Sequence, residues 1–541
     1  MSSIKPDLDE SQILKILDSK VDNSITSWSQ LPHHSTMLNI DKAVAKFAEI
    51  VNKGGKILFI HDSDADGLGT YMLTQIYFKY FPYKNIEVVI TDRSKGYGFV
   101  PDYINSRLDN LPDLIITADN GITSNVACNR AAELGISVII TDHHQVDQFE
   151  GLPNAIVVDP HQDADTFSYP DINGTFVYWY FLWAVEDVVK TGINMIQEFL
   201  PELCLTTISD VMPLNGINRF VVKEGLKILK THHRQWTKTF VTIFDKQSDI
   251  TAEDLAFNLI PAINVTARLT NAEESAMFMT RDNVYESTQW YTYIKSLNDV
   301  RKKQQQELMV SIETDYAKWL EAPFIIIPGD TFNKGILGPT AGRIAESYKK
   351  PTIILTKSKD GLNYSGSGRS TGEIDLLSLV KNNKFVTQTK TGGHKKAAGV
   401  SFPVESLNDF WKQLQIDTNK LDKSLYKDLS KETFGNLSLD LVSYDLYQKM
   451  EVYQPFGEQF QKPLFTTKAL FKKVTKMGQD KNHYNIILED SNMNEIRAVN
   501  FFFTEKIKKG RLYTFDYVIA EDTFNDVPNA IVLQIKKIYI I

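Results

Sequence analysis

The amino-acid sequence predicts an α/β protein of several domains around a parallel sheet, and three observations carry that reading. Short β-branched runs alternate with amphipathic runs from residue 56 to 160, the pattern of a parallel sheet covered on both faces. A second alternating block runs from 322 to about 418, and the remainder of the chain is dense in short strands. At 541 residues the chain exceeds what one hydrophobic core serves, so about three domains are expected.

The elements follow in order. KILFI leads into LGTYMLTQIYFKYF, IEVVI into the loop DRSKGYG, DLIIT into SNVACNRAAEL, and ISVII into DHHQ, with AIVVD after it. Aromatic-rich helical sequence continues to about residue 290. Residues 291–320, charged and helically periodic, read as a long connecting helix. The second block holds the strand PFIIIPG, the helix GPTAGRIAESYKK, the strands PTIILT and NYSGSGRS, and the glycine-rich TGGHKKAAG. KALFKKVTKM, HYNIILED, IRAVNFFF, RLYTFDYVIA and AIVLQIKKIYII are spaced like the strands of a small sandwich or barrel. The domains expected are 1–290 with a helical N-terminal extension, the helix 291–320, then 321–420 and 425–541.

Composition narrows the class. A net charge of −8 argues against a uniformly basic nucleic-acid coat but permits a local basic groove. Two cysteines, Cys128 and Cys204, and a polar start without an apolar signal region point to a reducing cytosol. The most apolar window, FVYWYFLWAV, is about half as long as a membrane span. A cytoplasmic protein that does not engage a membrane is expected, in a bacterial cell or, if phage-encoded, in the host cytoplasm.

In an open parallel sheet, ligands bind beyond the carboxyl ends of the strands. Acids recur there: Asp62, Asp64 and Asp66 after ILFI, Asp119 in IITADNG, and Asp142 with His143 and His144 after VIIT. Asp210 sits in LCLTTISDVMPL, an apolar run that stops at proline. One aspartate after one strand is ordinarily a helix cap or a turn. So many acids at one sheet edge would repel each other and destabilise the fold unless cations neutralise them. Carboxylates with an imidazole and no thiolate suit two divalent cations, Mn²⁺ or Mg²⁺, and the imidazole tilts the choice to Mn²⁺. Two such ions about 4 Å apart would activate a water and stabilise the leaving oxygen of a phosphoryl displacement.

Together, D-x-D-x-D-G, A-D-N-G, D-H-H and S-D-V-M-P-L resemble the four motifs of the DHH phosphoesterase superfamily. The rest of the chain resembles one branch, the RecJ single-strand-specific exonucleases. DRSKGYG is similar to that family's N-R-x-x-x-G-Y-G, one residue shorter. AINVTARL is similar to R-I-N-A-A-G-R, with Ala262 and Ala267 in place of arginine and glycine, and GILGPTAGRIAE to G-V-V-G-I-L-A-S-R-I-A-E. SGSGRS and GGHKKAAG resemble the phosphate-binding and GGH motifs of the accessory DHHA1 domain. YQPFGEQFQKPLF resembles the opening of the family's OB-fold, with Gln459 and Phe460 where Gly-Asn is usual.

The resemblance implies a parallel-sheet DHH core, a DHHA1 domain and a C-terminal OB-fold barrel. It implies that Asp62, Asp64, Asp66, Asp119, His143 and Asp210 ligate metal, Asp119 bridging and Asp62 the least secure. His144 would contact the scissile phosphate, Asp142 would orient the ligands, and His61 would be a neighbour. Arg93 and Tyr97 in the glycine-rich loop, with Arg268, offer phosphate contacts and a stacking face. Ser367 and Arg369 would grasp a terminal phosphate, with His394 and Lys395 nearby. Lysines in KKVTK and KIKKGR are ordinarily solvated strand edges, although on an OB-fold they would also guide DNA.

The activity implied is single-stranded DNA digestion from the 5′ end to 5′-mononucleotides in repair and recombination. The expected protein is a monomer, fed by a single-strand-binding protein or a helicase. Two other readings stay open: a DHH-type phosphodiesterase for short oligoribonucleotides or cyclic dinucleotides, and an inactive Cdc45-like DNA-binding scaffold. A long β-rich tail disfavours the first, and the complete set of acids disfavours the second.

Overall fold

The computed structural model describes residues 6–146, 151–244, 249–383, 391–426, 432–478, 483–490, 492–501, 507–522, 527 and 529–539, the His394 side chain excepted. The chain divides into two compact units. One comprises 25–212 and 220–428, the other 1–24, 213–219 and 429–541.

The larger unit contains two sheets. In the first, β1 (Ile57–His61) lies between β2 (Ile86–Ile90) and β3 (Leu114–Ala118), followed by β4 (Ser137–Thr141) and β5 (Ile156–Val158). Every pairing is parallel. β1 and β3 are buried along their whole length, which is why their sequences are unbroken apolar runs rather than alternating ones. Helix Ala65–Tyr80 follows β1, and the buried helices Gly174–Val189 and Met195–Ser209 carry the aromatic-rich stretch.

The connecting helix runs from Val284 to Asp315, so it begins before the expected residue 291; a short separate helix, Ala317–Leu320, closes the link. Asn283 caps it by accepting from Glu286 N, a start signal that outweighed the composition shift further along. The second sheet has the order β6 (Ile325–Gly329), β7 (Thr352–Lys357), β8 (Asn363–Arg369), β10 (Ala397–Pro403), β9 (Gly392–His394). Only β6 and β7 are parallel; the rest is antiparallel.

In the smaller unit, β12 (Phe465–Met477), β13 (His483–Glu489), β14 (Glu495–Asn500), β16 (Ile531–Tyr539) and β15 (Arg511–Glu521) follow one another. β15 pairs back onto β12, which closes a five-stranded barrel. The short β11 (Gly435–Asn436) lies beside β12. Helix Glu10–Lys20, expected with the catalytic domain, belongs to this unit instead. Its leading residues bridge to β11 through Leu8 N→Asn436 O and Asn436 N→Pro6 O, both 2.8 Å. Residues 213–219 belong here too. Arg219 donates to the carbonyls of Tyr453, Gln454 and Pro455 and lies 4.7 Å over the Phe460 ring. Asn215 donates to Gln459, so the altered PFGEQF turn receives this segment. Among the described residues, no helix is long and apolar enough to cross a membrane.

Candidate metal centre

Parallel pairing brings the carboxyl ends of β1, β3 and β4 to one edge, and the predicted acids converge there. Asp62, Asp66, Asp119, Asp142 and His143 are buried. Asp64 and Asp210 are half-buried.

Asp64 does serve as a helix cap, its Oδ1 accepting from the N–H groups of Asp66 and Gly67. Its Oδ2 remains 3.6 Å from Arg93 Nη2. Asp62 accepts from Thr91 Oγ1 at 2.7 Å, and its other oxygen lies 3.9 Å from Arg93. Asp66 is gripped by the start of helix Gly174–Val189: Asn173 Nδ2, Gly174 N and Thr175 N donate at 2.6, 2.8 and 3.0 Å. Such a helix start favours an anion. Asp119 is held in the left-handed region, φ 61°, a conformation that side chains adopt at some cost and that gathers at functional sites.

His143 Nε2 lies 3.3 Å from Asp119, 3.5 Å from Asp210 and 3.8 Å from Asp66. Burial, with the neighbouring His144, holds this imidazole neutral at about 3, and a backbone hydrogen bond with Ile172 engages the ring. Its Nε2 and Oδ1 of Asp119 are buried without a hydrogen-bond partner. Buried polar atoms are nearly always paired, so these two mark where a cation fits. Burial and mutual repulsion push the carboxyls of Asp119 and Asp210 well above the usual range, and burial raises Asp66 to about 6. Ligand atoms gather in overlapping sets: Asp62, Asp64, Asp119; Asp119, His143, His144; and Asp66, His143, Asp210. Carboxylate oxygens around one neutral imidazole suit Mn²⁺ or Mg²⁺.

Asp142 accepts from Ile122 N, His143 N and His144 N and sits 2.7 Å from His144 Nδ1. Burial opposes its charge, but His144 holds the carboxyl at about 2. Burial would likewise lower His144; Asp142 and the acids beyond it raise the imidazole to about 10. Tyr97 places its hydroxyl 3.2 Å from His144 Nε2, and its ring is largely exposed. His61 is buried and occupied by Thr70 and Thr74, a neighbour rather than a ligand.

Opposite the acids stand arginines. Burial, with Arg93 and Arg369 nearby, pulls Arg268 down to about 10; Asp64 opposes the fall and Arg301 adds to it. Arg369 donates to Ser367 Oγ at 3.0 Å. Gly338, in helix Lys334–Tyr348, makes room for that pair, because a β-carbon there would lie 2.9 Å from Arg369 Nη2 and 3.1 Å from Ser367 Oγ. Lys395 pairs instead with Glu373 at 2.9 Å. The His394 side chain lies outside the described residues.

Sequence reasoning passed over Thr91, Asn173–Thr175, Arg301 and Asp159. Asp159 follows β5 at the same edge, buried and raised to about 6 by that burial. Asn-Gly-Thr before an aromatic helix was the one signal that could have exposed the grip on Asp66.

Fold and site together define a DHH-type phosphoesterase. Three family models match in order: the DHH family N-terminal domain over 56–207, the DHHA1 domain over 321–416 and the RecJ OB domain over 433–536. With those three domains the chain is a RecJ-like member of the DHH family. The single-stranded-DNA-specific exonuclease RecJ of Escherichia coli is 27% identical over 485 residues, 85% of this chain and 82% of that protein. The Bacillus subtilis protein of that name is 25% identical over 86% of this chain and 58% of its own length. A crystal structure of RecJ from Thermus thermophilus in complex with Mn²⁺ shares the fold, with a TM-score of 0.76 at 22% identity, covering 93% of this chain and 72% of that one.

Proposed function

We propose that this protein is a single-stranded-DNA-specific exonuclease that works 5′→3′, releases 5′-mononucleotides by phosphodiester hydrolysis and serves DNA repair and recombination. One observation carries the reading: a buried acidic edge, with unpartnered ligand atoms, faces an arginine cluster within a single compact unit. The names of the relatives agree with it.

Asp62, Asp64, Asp66, Asp119, His143 and Asp210 would hold two divalent cations, Mn²⁺ or Mg²⁺. Bound there, the cations supply Lewis acidity toward water and the leaving oxygen. The chain's own groups do the rest. Asn173, Gly174 and Thr175 fix Asp66, and Thr91 fixes Asp62. His144, kept cationic by Asp142, presents Nε2 to the scissile phosphate as a charged donor. Tyr97 offers a ring for a base to stack on, beside Arg93. Arg268, Ser367 and Arg369 take phosphate oxygens of the strand end, with His394 and Lys395 at the margin of that path. The chain acts as a monomer in the cytoplasm, on strands exposed by a helicase or carried by a single-strand-binding protein.

The test is Mn²⁺-dependent digestion of a single strand labelled at either end, beside a duplex and a cyclic dinucleotide, with Asp119→Ala as the blank. Mononucleotides released from the 5′ end of the single strand alone bear the proposal out. Activity confined to the cyclic dinucleotide refutes it.

A further inference from the structure

The helix Gly174–Val189 has a second end. Its first turn holds Asp66; its last turn carries Asp187, about 20 Å away along the axis. A carboxylate at a helix C-terminus opposes the helix dipole and calls for positive charge. What meets it is a pair of imidazoles. His34 Nε2 lies 2.8 Å and His33 Nε2 3.9 Å from Asp187 Oδ2. The two rings stand 3.9 Å apart, and Trp183 packs edge-on against both at 5.4 and 5.6 Å.

We infer that His33, His34 and Asp187 form a binding site for a divalent transition metal of the zinc class, separate from the acidic centre. Their ligand atoms lie within 4.8 Å of one another. Two imidazoles with one carboxylate suit Zn²⁺, Ni²⁺ or Co²⁺, unlike the oxygen-rich centre at the sheet edge. The supports of a ligand set are present. His33 Nδ1 lies 2.9 Å from Ser35 Oγ and 3.3 Å from Ser35 N, contacts that fix the orientation of the ring with Nε2 toward Asp187. Trp183 walls one side, and His34 is almost wholly buried. Asp187 and His33 stay about half exposed, which leaves coordination positions for water. A cation here would tie the turn His34–Thr36 to the end of the helix whose beginning fixes Asp66.

Trp183 makes the site visible, because a paramagnetic ion held beside the indole quenches its fluorescence. The full chain, with Mn²⁺ in excess, is titrated with Ni²⁺ while tryptophan emission is followed. Wild type and Asp119→Ala should show the same saturable quenching. His33→Ala and Asp187→Asn, both half-exposed positions, should weaken the apparent affinity by at least about tenfold, and Trp183→Phe should diminish the quenching, with Trp179 beside it left to report the remainder. The inference is overturned if His33→Ala and Asp187→Asn quench like wild type, which leaves a plain His34–Asp187 ion pair. It is equally overturned if Asp119→Ala abolishes the quenching, which assigns the ion to the acidic centre.

Discussion

Gly174 and Asp119 approach as closely as a glycine permits: a β-carbon on residue 174 would lie 2.3 Å from Asp119 Oδ1. The same glycine donates its N–H to Asp66, so one residue sets the spacing of two acids that follow different strands, β1 and β3. Gly174→Ala should leave the sheet intact and push Asp119 aside. The expected loss is at least about 100-fold in kcat, since a displacement of about 1 Å in such a site costs that much. Mn²⁺ affinity should fall with it, and steady-state kinetics beside a Mn²⁺ titration check both; activity within about twofold of wild type would contradict this account.

Acid repulsion makes the metal-free fold pH-dependent. Asp66, Asp119 and Asp210 all have folded-state values raised above the ordinary carboxylate. The folded chain therefore keeps protons that the unfolded chain releases, and stability falls as pH rises from about 4 through about 6 for Asp66. A bound cation removes that penalty. Mn²⁺ should raise the melting temperature by several degrees near pH 8 and by much less near pH 5. Equal shifts at both pH values would show that the acids are not relieved by the ion.

His144 is raised too, but here it is the charged form that the fold favours. Its folded value, about 10, lies above the unfolded one, so the stability it contributes is full below about 6.5, while the charge itself persists in the folded chain until pH climbs through about 10. The wild-type rate should hold its plateau into alkaline solution. In Asp142→Asn the partner charge is gone, and the descending limb of the pH–rate profile should move toward neutrality.

Arginine clustering is unfavourable without an anion to fill it. Arg268→Ala should weaken binding of a 5′-phosphorylated strand by about 10- to 150-fold, the range for losing one hydrogen bond to a charged group. A 5′-hydroxyl strand should be affected far less. Because Arg268 is lowered by burial and by Arg93 and Arg369, its removal should leave the melting temperature unchanged or higher. A melting temperature that drops with no change in strand preference would assign Arg268 to the fold alone.

β1, β3 and β4 were legible because burial on both faces writes continuous β-branched runs, and the acids after them were legible because each run stops at one. The grip of Asn173–Thr175 on Asp66 was not, since it joins residues more than a hundred positions apart, and Asn-Gly-Thr marks a helix start without naming the acid it holds. The glycine-rich surroundings of Lys395 gave no sign of its ion pair with Glu373. Gln459 and Phe460 stand where the resembled family has Gly-Asn. They receive Asn215 and Arg219, a pairing that only the folded chain displays.

The barrel unit is assembled from the first residues, a middle segment and the last hundred or so, and this orders events during synthesis. Pro6 and Leu8 must wait for Asn436 to leave the ribosome before they can pair, and Arg219 must wait for the carbonyls of residues 453–455. Pairing at such separation closes long loops and is slow. The larger unit, complete by residue 428, can therefore fold first, with helix Glu10–Lys20 still unpartnered. A messenger cut short after residue 428 would yield a chain in which Leu8 lacks Asn436 and Arg219 lacks the carbonyls of residues 453–455, a form that chaperones and proteases would recognise.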